Sequence, residues 1–166
     1  RCLVGSEMCI RDSVKTVSIL KADDRLEKIA EDIVQHFFYQ KGFRGKAMVV
    51  SIDKFTTVRM YDKVQKYWKR EERKITLVIQ QLKKEKGKES AEYKQKNAFL
   101  RYIKKCERYV ILSEENSEDE KFAKEGLNIA PHRQHKQTTL EERFKDAEDP
   151  FSMVFLCAKW LSLIHI

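Results

Sequence analysis

The stretch AMVVSIDKFTTVRMYDKV, residues 47–64, indicates a strand, a short turn and a helix in immediate succession. Its first part is a continuous apolar run, which is typical of a strand covered on both faces, as in parallel sheets. Beyond Ser51 the apolar residues return to helical spacing, and Asp53 is placed to cap the first helical turn. These apolar positions are Phe55, Val58, Tyr61 and Val64. The stretch therefore predicts half of a βαβ unit.

Upstream of this unit, residues 23–38 place apolar side chains at the intervals of a helix with one buried face. Asp24 and Glu27 have the spacing of a capping box at its start. A loop with two glycines then separates this helix from the strand that we predict at residues 46–51.

Downstream, the apolar runs at residues 108–113 and 152–157 predict two further strands, and a shorter strand is expected within LNIAPHR. Between them we expect one helix that ends near Gly126 and another that is capped by Thr138 or Thr139. Alternating strands and helices predict an α/β fold with a mainly parallel sheet, whose working edge lies at the carboxyl ends of the strands.

Residues 66–105 are dominated by Lys, Arg and Glu, and their apolar residues form two stripes that predict two amphipathic helices broken near Gly87. Basic runs such as KKEKGK are compatible with a nucleic-acid-binding patch. We favour the other interpretation, a solvated helical insertion in which interspersed acids cancel most of the positive field.

Composition places the chain among ordinary globular proteins, since its 166 residues are 36% charged and carry a formal charge of +8. The basic balance is compatible with a polyanionic partner. No apolar run approaches the roughly 18 residues of a membrane span, so no membrane partner is expected. Cys106 and Cys157 stand about fifty residues apart, a spacing that predicts neither a disulfide framework nor a zinc site and favours a cytoplasmic location. Cys157 is expected to be buried.

The two ends of the chain have a feature in common at the level of their codons. LSLIHI at residues 161–166 and MCIRDS at residues 8–13 can be encoded by one inverted repeat. Such a repeat resembles a translated transposase-type sequencing adapter. We therefore expect residues 1–13 and 161–166 to lie outside the folded domain, which we place at residues 14–160.

No local motif predicts an independent enzyme, because the sequence has no GxxxxGKS/T phosphate loop, GxGxxG, GxSxG or HExxH. The histidines His36, His132 and His135 are expected at the surface, and neither a metal site nor a catalytic residue is predicted. The candidates that remain follow the three strands. They are Ser51, Asp53, Lys54, Ser113, Glu114, Ala158, Lys159 and Trp160. Their hydroxyl, ammonium and backbone N–H groups could hold the phosphates of a nucleic acid or a nucleotide.

Four blocks of the chain are similar, in the same order, to the second RecA-like motor domain of the restriction (R) subunit of type I restriction enzymes. The blocks are DDRLEKIAEDIVQHF, GFRGKAMVVSIDKFTTVRMYDKVQKYW, the stretch from VILSEEN through EKFAKEGLNIAPHR, and LEERFKDAEDPFSMVFLCAKWL. The resemblance covers residues 14–160, except the less distinctive stretch at 66–105. It implies a RecA-like fold and a superfamily 2 helicase motor that uses ATP and Mg²⁺ to pull double-stranded DNA, in a complex that also cleaves it.

The resemblance also implies partners and roles. The partners would be double-stranded DNA, the methylation and specificity subunits, and a first RecA-like domain that carries the phosphate loop. VVSIDKF matches helicase motif IV, and FLCAKWL leads toward motif V, although Lys159 stands where the family usually has Met. DNA contacts are expected at Ser51, Lys54, Ser113, Lys159 and Trp160.

Because these residues include no phosphate loop, nuclease site or arginine finger, the resemblance implies that the chain is inactive alone. Two alternatives stay open. One is a basic helical nucleic-acid-binding or scaffold module centred on residues 66–105. The other is the motor domain of a different superfamily 2 helicase.

Overall fold

The computed structural model describes residues 18–39, 45–85, 87–112, 119–133 and 137–158. After a short helical segment at residues 18–20, the helices and strands follow one another along the chain. They are α1 (Asp23–Tyr39), β1 (Ala47–Ser51), α2 (Lys54–Glu85), α3 (Ala91–Lys105), β2 (Glu107–Ile111), α4 (Asp119–Lys124), the 3₁₀ helix (Ala130–Arg133), α5 (Gln137–Lys145) and β3 (Phe151–Cys157).

The three strands form one parallel sheet in the order β1-β3-β2. The predicted α/β class and the three predicted strands are thereby confirmed. Every residue of the central strand β3 is buried. Its side chains alternate between two cores, with Met153 and Phe155 facing α1, α2 and α3, and Val154 and Leu156 facing α5. Among the described residues, no helix is both long enough and apolar enough to cross a membrane.

Strand β1 lies at an edge of the sheet, and the prediction that both of its faces are covered is wrong. Ala47 and Val49 pack against the larger core, whereas Met48 and Val50 are 47% and 43% exposed. The apolar run was therefore a poor guide to burial, because the faces of a strand are covered by packed helices, and the smaller core beside α5 contains residues of β2 and β3 but none of β1.

The charged stretch at residues 66–105 is not a separate insertion. Helix α2 begins at Lys54, directly after β1, and continues without a break to Glu85. The chain reverses at Gly87, whose φ of +76° suits glycine, and α3 then returns to the sheet. Residues 66–105 therefore form a helical hairpin, hereafter the hairpin, and the predicted break near Gly87 is confirmed.

Trp68 is the centre of the core that joins the hairpin to the rest of the fold. Its side chain is 1% exposed, and its ring centroid lies 5.3 Å from that of Phe37 and 4.7 Å from that of Phe38. The guanidinium carbon of Arg108, on β2, lies 4.0 Å from the Trp68 ring centroid. One side chain of α2 thus contacts both α1 and the sheet.

The helix starts differ in part from the predictions. Asp53 caps α2 as predicted, since its Oδ1 accepts a hydrogen bond from the backbone N–H of Thr56 at 2.7 Å. The predicted capping box of α1 is wrong, because the helix begins at Asp23 and Asp24 lies within its first turn. Glu27 instead accepts hydrogen bonds from the ammonium groups of Lys63 and Lys66 on α2.

Three further predictions concern the segment between β2 and β3. Helix α4 is followed by Gly126 at a φ of +69°, as predicted. The prediction of a short strand in LNIAPHR is wrong, because Ala130–Arg133 forms a 3₁₀ helix. At its start, the backbone N–H of Ala130 donates a hydrogen bond to Oδ1 of Asn128. Helix α5 begins at Gln137, so the two threonines after it do not precede the helix as caps.

Candidate functional site at the carboxyl edge of the sheet

The carboxyl ends of β1 and β3 meet at one edge of the sheet. Ser51 and Cys157 are partners in the parallel register, and Ala158 follows directly and is exposed. Of the predicted strand-end candidates, Ser51, Asp53, Lys54 and Ala158 are thus brought to the same edge. Four others lie outside the described residues, namely Ser113, Glu114, Lys159 and Trp160.

Ser51 is buried beneath the start of α1 and is not presented to solvent. It is 8% exposed and lines a small cavity of about 200 Å³ between β1 and α1, whose walls are mostly apolar. The polar groups near it in the cavity belong to Arg25 and Thr56. A backbone phosphate cannot reach this hydroxyl unless α1 moves, so the placement of Ser51 favours a structural contact.

Asp53 is held by contacts on both of its carboxylate oxygens. Oδ1 caps α2, and Oδ2 lies 2.5 Å from the ammonium nitrogen of Lys21. Burial raises the pKa of Asp53, but the hydrogen bonds from Lys21 and Thr56 outweigh burial and hold this pKa below its usual value. Asp53 is therefore ionised and fixed, which suits a cap and does not suit a general base.

Thr57 and Lys54 complete the turn between β1 and α2. The buried Thr57 hydroxyl lies 2.8 Å from the Asp53 carbonyl oxygen and 3.3 Å from the Leu156 carbonyl oxygen, so it ties α2 to the central strand. Lys54 is the first residue of α2, is half-buried and has an interaction partner. Of the predicted phosphate contacts, Ser51 is buried, and the ammonium group of Lys54 is the remaining candidate in the described part of this edge.

The chemistry available at this edge is modest. Within residues 18–39, 45–85, 87–112, 119–133 and 137–158, no cluster of His, Cys, Asp and Glu could hold a metal ion. Both cysteines of these segments are buried, as predicted for Cys157. Thr57, Asp53 and Lys21 are each committed to the local fold. In the described part of this edge, these three side chains stabilise the turn between β1 and α2.

His132 does not lie at the surface as predicted. It belongs to the 3₁₀ helix, is half-buried, and its ring centroid lies 4.8 Å from that of Tyr61 in an edge-on arrangement. Burial lowers the pKa of His132, so the neutral imidazole is favoured. His36 is exposed near the end of α1 as expected, and His135 lies outside the described residues.

The charge of the chain is concentrated in the hairpin. Residues 66–105 contain 14 Lys and Arg against five Glu, a formal charge of +9, whereas the whole chain carries +8. The remaining residues together sum to −1. The hairpin is consequently the source of the basic character of the protein.

The five Glu of the hairpin pair with some of its cations but do not cancel most of the field of its 14 Lys and Arg, contrary to the prediction. Glu71 is 2% exposed and accepts hydrogen bonds from Tyr39 and Lys74 at 3.0 and 2.7 Å. Burial raises the pKa of Glu71, but the hydrogen bonds from Lys74 and Tyr39 outweigh burial and hold this pKa below its usual value. The Glu71 carboxyl group therefore stays ionised. Glu72 lies 4.0 Å from Lys104, which belongs to α3. The negative charge of Glu71 is therefore buried and is paired locally with Tyr39 and Lys74.

Several hairpin cations are exposed and have no ion pair among the described residues. On α2 these are Lys69, Arg73, Lys83 and Lys84, and on α3 they are Lys96, Arg101 and Lys105. The sequence signal that identifies this part of the chain is the local count of Lys and Arg against Glu.

A second cavity, at the amino edge of the sheet, was not predicted. It has a volume of about 580 Å³ and is lined by residues that precede all three strands, including Lys46, Lys105 and Pro150. Cys106 hydrogen-bonds with Tyr102 and Ser152 in its wall. Burial is the largest influence on Tyr102 and raises its pKa to about 12, so both groups are protonated at neutral pH. No spacing in the sequence indicated this cluster, because its members meet only through the fold.

The fold defines an α/β protein with a three-stranded parallel sheet and a basic helical hairpin. No protein-family model matches the chain, and neither a curated protein nor a solved structure matches it.

Proposed function

We propose that this chain is part of the second RecA-like motor domain of the restriction subunit of a type I restriction enzyme, acting on double-stranded DNA in the cytoplasm. The observation that supports the proposal is the parallel sheet, in which the blocks that resemble this family supply adjacent strands. β1 comes from the VVSIDKF block and β3 from the FLCAKWL block, and their carboxyl ends lie side by side. In open α/β sheets that edge is where ligands bind.

In this proposal the chain contributes positioning and DNA contacts, and the chemistry of ATP and Mg²⁺ is supplied across a cleft by a first RecA-like domain. Closing such a cleft would move DNA contacts by a step. The turn that follows β1 is suited to transmit such a movement, because Asp53 caps the first turn of α2, which begins at Lys54, and Thr57 links α2 to β3. The methylation and specificity subunits would be partners of the assembled enzyme.

Sequencing the gene on both sides of the region that encodes this chain tests the proposal. We expect a GxxxxGKS/T phosphate loop upstream, and downstream of Trp160 a Thr-Gly-Phe-Asp motif followed by an arginine-containing helicase motif. A phosphate loop with different downstream motifs would indicate another superfamily 2 motor. A reading frame without a phosphate loop would contradict the proposal and favour a basic nucleic-acid-binding module.

A further inference from the structure

Four cations of α2 are exposed and have no ion pair among the described residues, namely Lys69, Arg73, Lys83 and Lys84, here called the basic ridge. We propose that the basic ridge binds the phosphate backbone of a DNA duplex without reading its sequence. The positive charge of the ridge indicates that its ligand is a polyanion. The choice of duplex DNA as that polyanion rests on the proposed function.

The spacing of the ridge suits an extended, regularly charged ligand. At 3.6 residues per turn, positions 69, 73, 83 and 84 all fall within about a third of the circumference of the helix. From Lys69 to Lys84 the helix rises by about 22 Å, at 1.5 Å per residue. A duplex presents one negative charge per roughly 1.7 Å of its axis when both strands are counted, so a duplex segment as long as the ridge carries on the order of a dozen phosphates, of which those on the near side can be contacted.

Of the acids near the ridge, two have partners within the fold, and Glu85 is exposed beside Lys84. Between residues 69 and 84 the acids are Glu71 and Glu72. Glu71 is buried and bound by Tyr39 and Lys74, and Glu72 is close to Lys104. Ion pairs with α1 neutralise Lys66 and Arg70 through Glu27 and Glu31, which leaves the ridge as the uncompensated part of α2.

The same helix exposes two apolar side chains, Leu77 at 60% and Val78 at 41%. Two such side chains, with Arg73 and Lys74 before them and glutamines after them, make too small an apolar patch for a stable protein partner. The charge complementarity of the ridge therefore favours a nucleic acid over a protein.

The salt dependence of duplex binding tests this inference with the full chain and a 30-base-pair duplex of arbitrary sequence. Four phosphate contacts predict that affinity falls about 150-fold between about 50 and 200 mM salt, because the slope of log affinity against log salt is roughly −0.9 per contact. Replacing two contacts with Lys69→Gln and Arg73→Gln should reduce this loss to about 12-fold. These two residues are chosen because Lys83 and Lys84 also complement the carboxyl end of α2.

Two control variants separate binding at the ridge from the general loss of charge. Lys121→Gln with Lys124→Gln removes two exposed charges of α4 and should keep the loss of affinity near that of the unmodified chain. Lys69→Arg with Arg73→Lys keeps both charges and should bind normally, while circular dichroism checks that every variant is folded. A ridge variant with the affinity and salt slope of the unmodified chain would overturn the inference, as would a chain that binds no duplex. Neither result bears on the gene sequence that tests the proposed function.

Discussion

Replacing Trp68 with Ala should remove the contact that holds the hairpin, α1 and β2 together. The indole is almost fully buried, lies edge-on to Phe38 at 4.7 Å and supports the guanidinium group of Arg108 at 4.0 Å. Truncation of a buried Trp costs about 3–5 kcal/mol in free energy of unfolding. Loss of a desolvated cation–π contact with Arg108 adds about 1–2 kcal/mol. A total of about 4–7 kcal/mol is comparable with the whole stability of many domains, which is about 5–15 kcal/mol.

Urea denaturation followed by far-ultraviolet circular dichroism measures the effect. With a slope of about 2 kcal/mol per molar urea, the unfolding midpoint of Trp68→Ala should fall by about 2 M or more. Trp68→Phe keeps a ring in the core and should give a smaller decrease, which stays measurable if the alanine variant does not fold. Leu77→Ala lies on the exposed side of the same helix, so its stability should stay within about 0.5 kcal/mol of the unmodified chain. A Trp68→Ala chain that is as stable as Leu77→Ala would refute the assignment of this core.

Three further predictions concern single carboxylates. Asp53→Ala removes the cap of α2 and should lower the free energy of unfolding by about 1 kcal/mol in urea denaturation, unlike Asp53→Asn, which can still cap. Hydrogen bonds from Tyr67 and Lys63 lower the pKa of Glu27 from 4.5 to about 2. The ionised Glu27 therefore stabilises the fold fully above pH 4.5, and this stabilisation is lost as the pH falls toward 2. The difference in free energy of unfolding between Glu27→Gln and the unmodified chain should shrink from about pH 7 to about pH 3. Glu71→Met should be neutral or stabilising in thermal unfolding, because it removes a buried carboxylate whose partner Lys74 is 57% exposed and can be solvated by water, whereas Glu71→Ala leaves a cavity and should destabilise.

The strands and most helix bounds could be predicted from the sequence because their signals are local. Apolar runs marked β1, β2 and β3 to within one or two residues at most ends, and the Asp53 cap followed from a side chain that bonds three residues ahead. Gly87 marked the reversal of the hairpin because its backbone conformation favours glycine. These features depend on neighbours in the sequence and need no tertiary contact.

The features that failed depend on contacts between distant residues. The exposure of Met48 and Val50 follows from the packing of the smaller core, which α5 forms with β2 and β3 and not with β1. The unbroken length of α2 was missed because Glu71 interrupts its apolar stripe, and that interruption is tolerated through a bond to Tyr39, 32 residues away.

The candidate site was predicted in part. The sequence placed Ser51 and Lys54 at the carboxyl edge, where the structure has them, but the burial of Ser51 depends on the packing of α1. Lys159, Trp160 and Ser113 lie outside the described residues and remain predictions. The positive charge of the hairpin could be predicted by counting its residues. The burial of Glu71 could not, because it depends on a contact with Tyr39.

The measurement that tests the central proposal most directly is ATP hydrolysis by the complete product of the gene that contains this chain. The proposal predicts hydrolysis that is strongly stimulated by double-stranded DNA in the assembled enzyme and is abolished when the lysine of the expected phosphate loop is replaced by alanine. A complete gene product whose ATP hydrolysis is absent, or is unaffected by DNA, would contradict the assignment of this chain to a DNA-translocating motor.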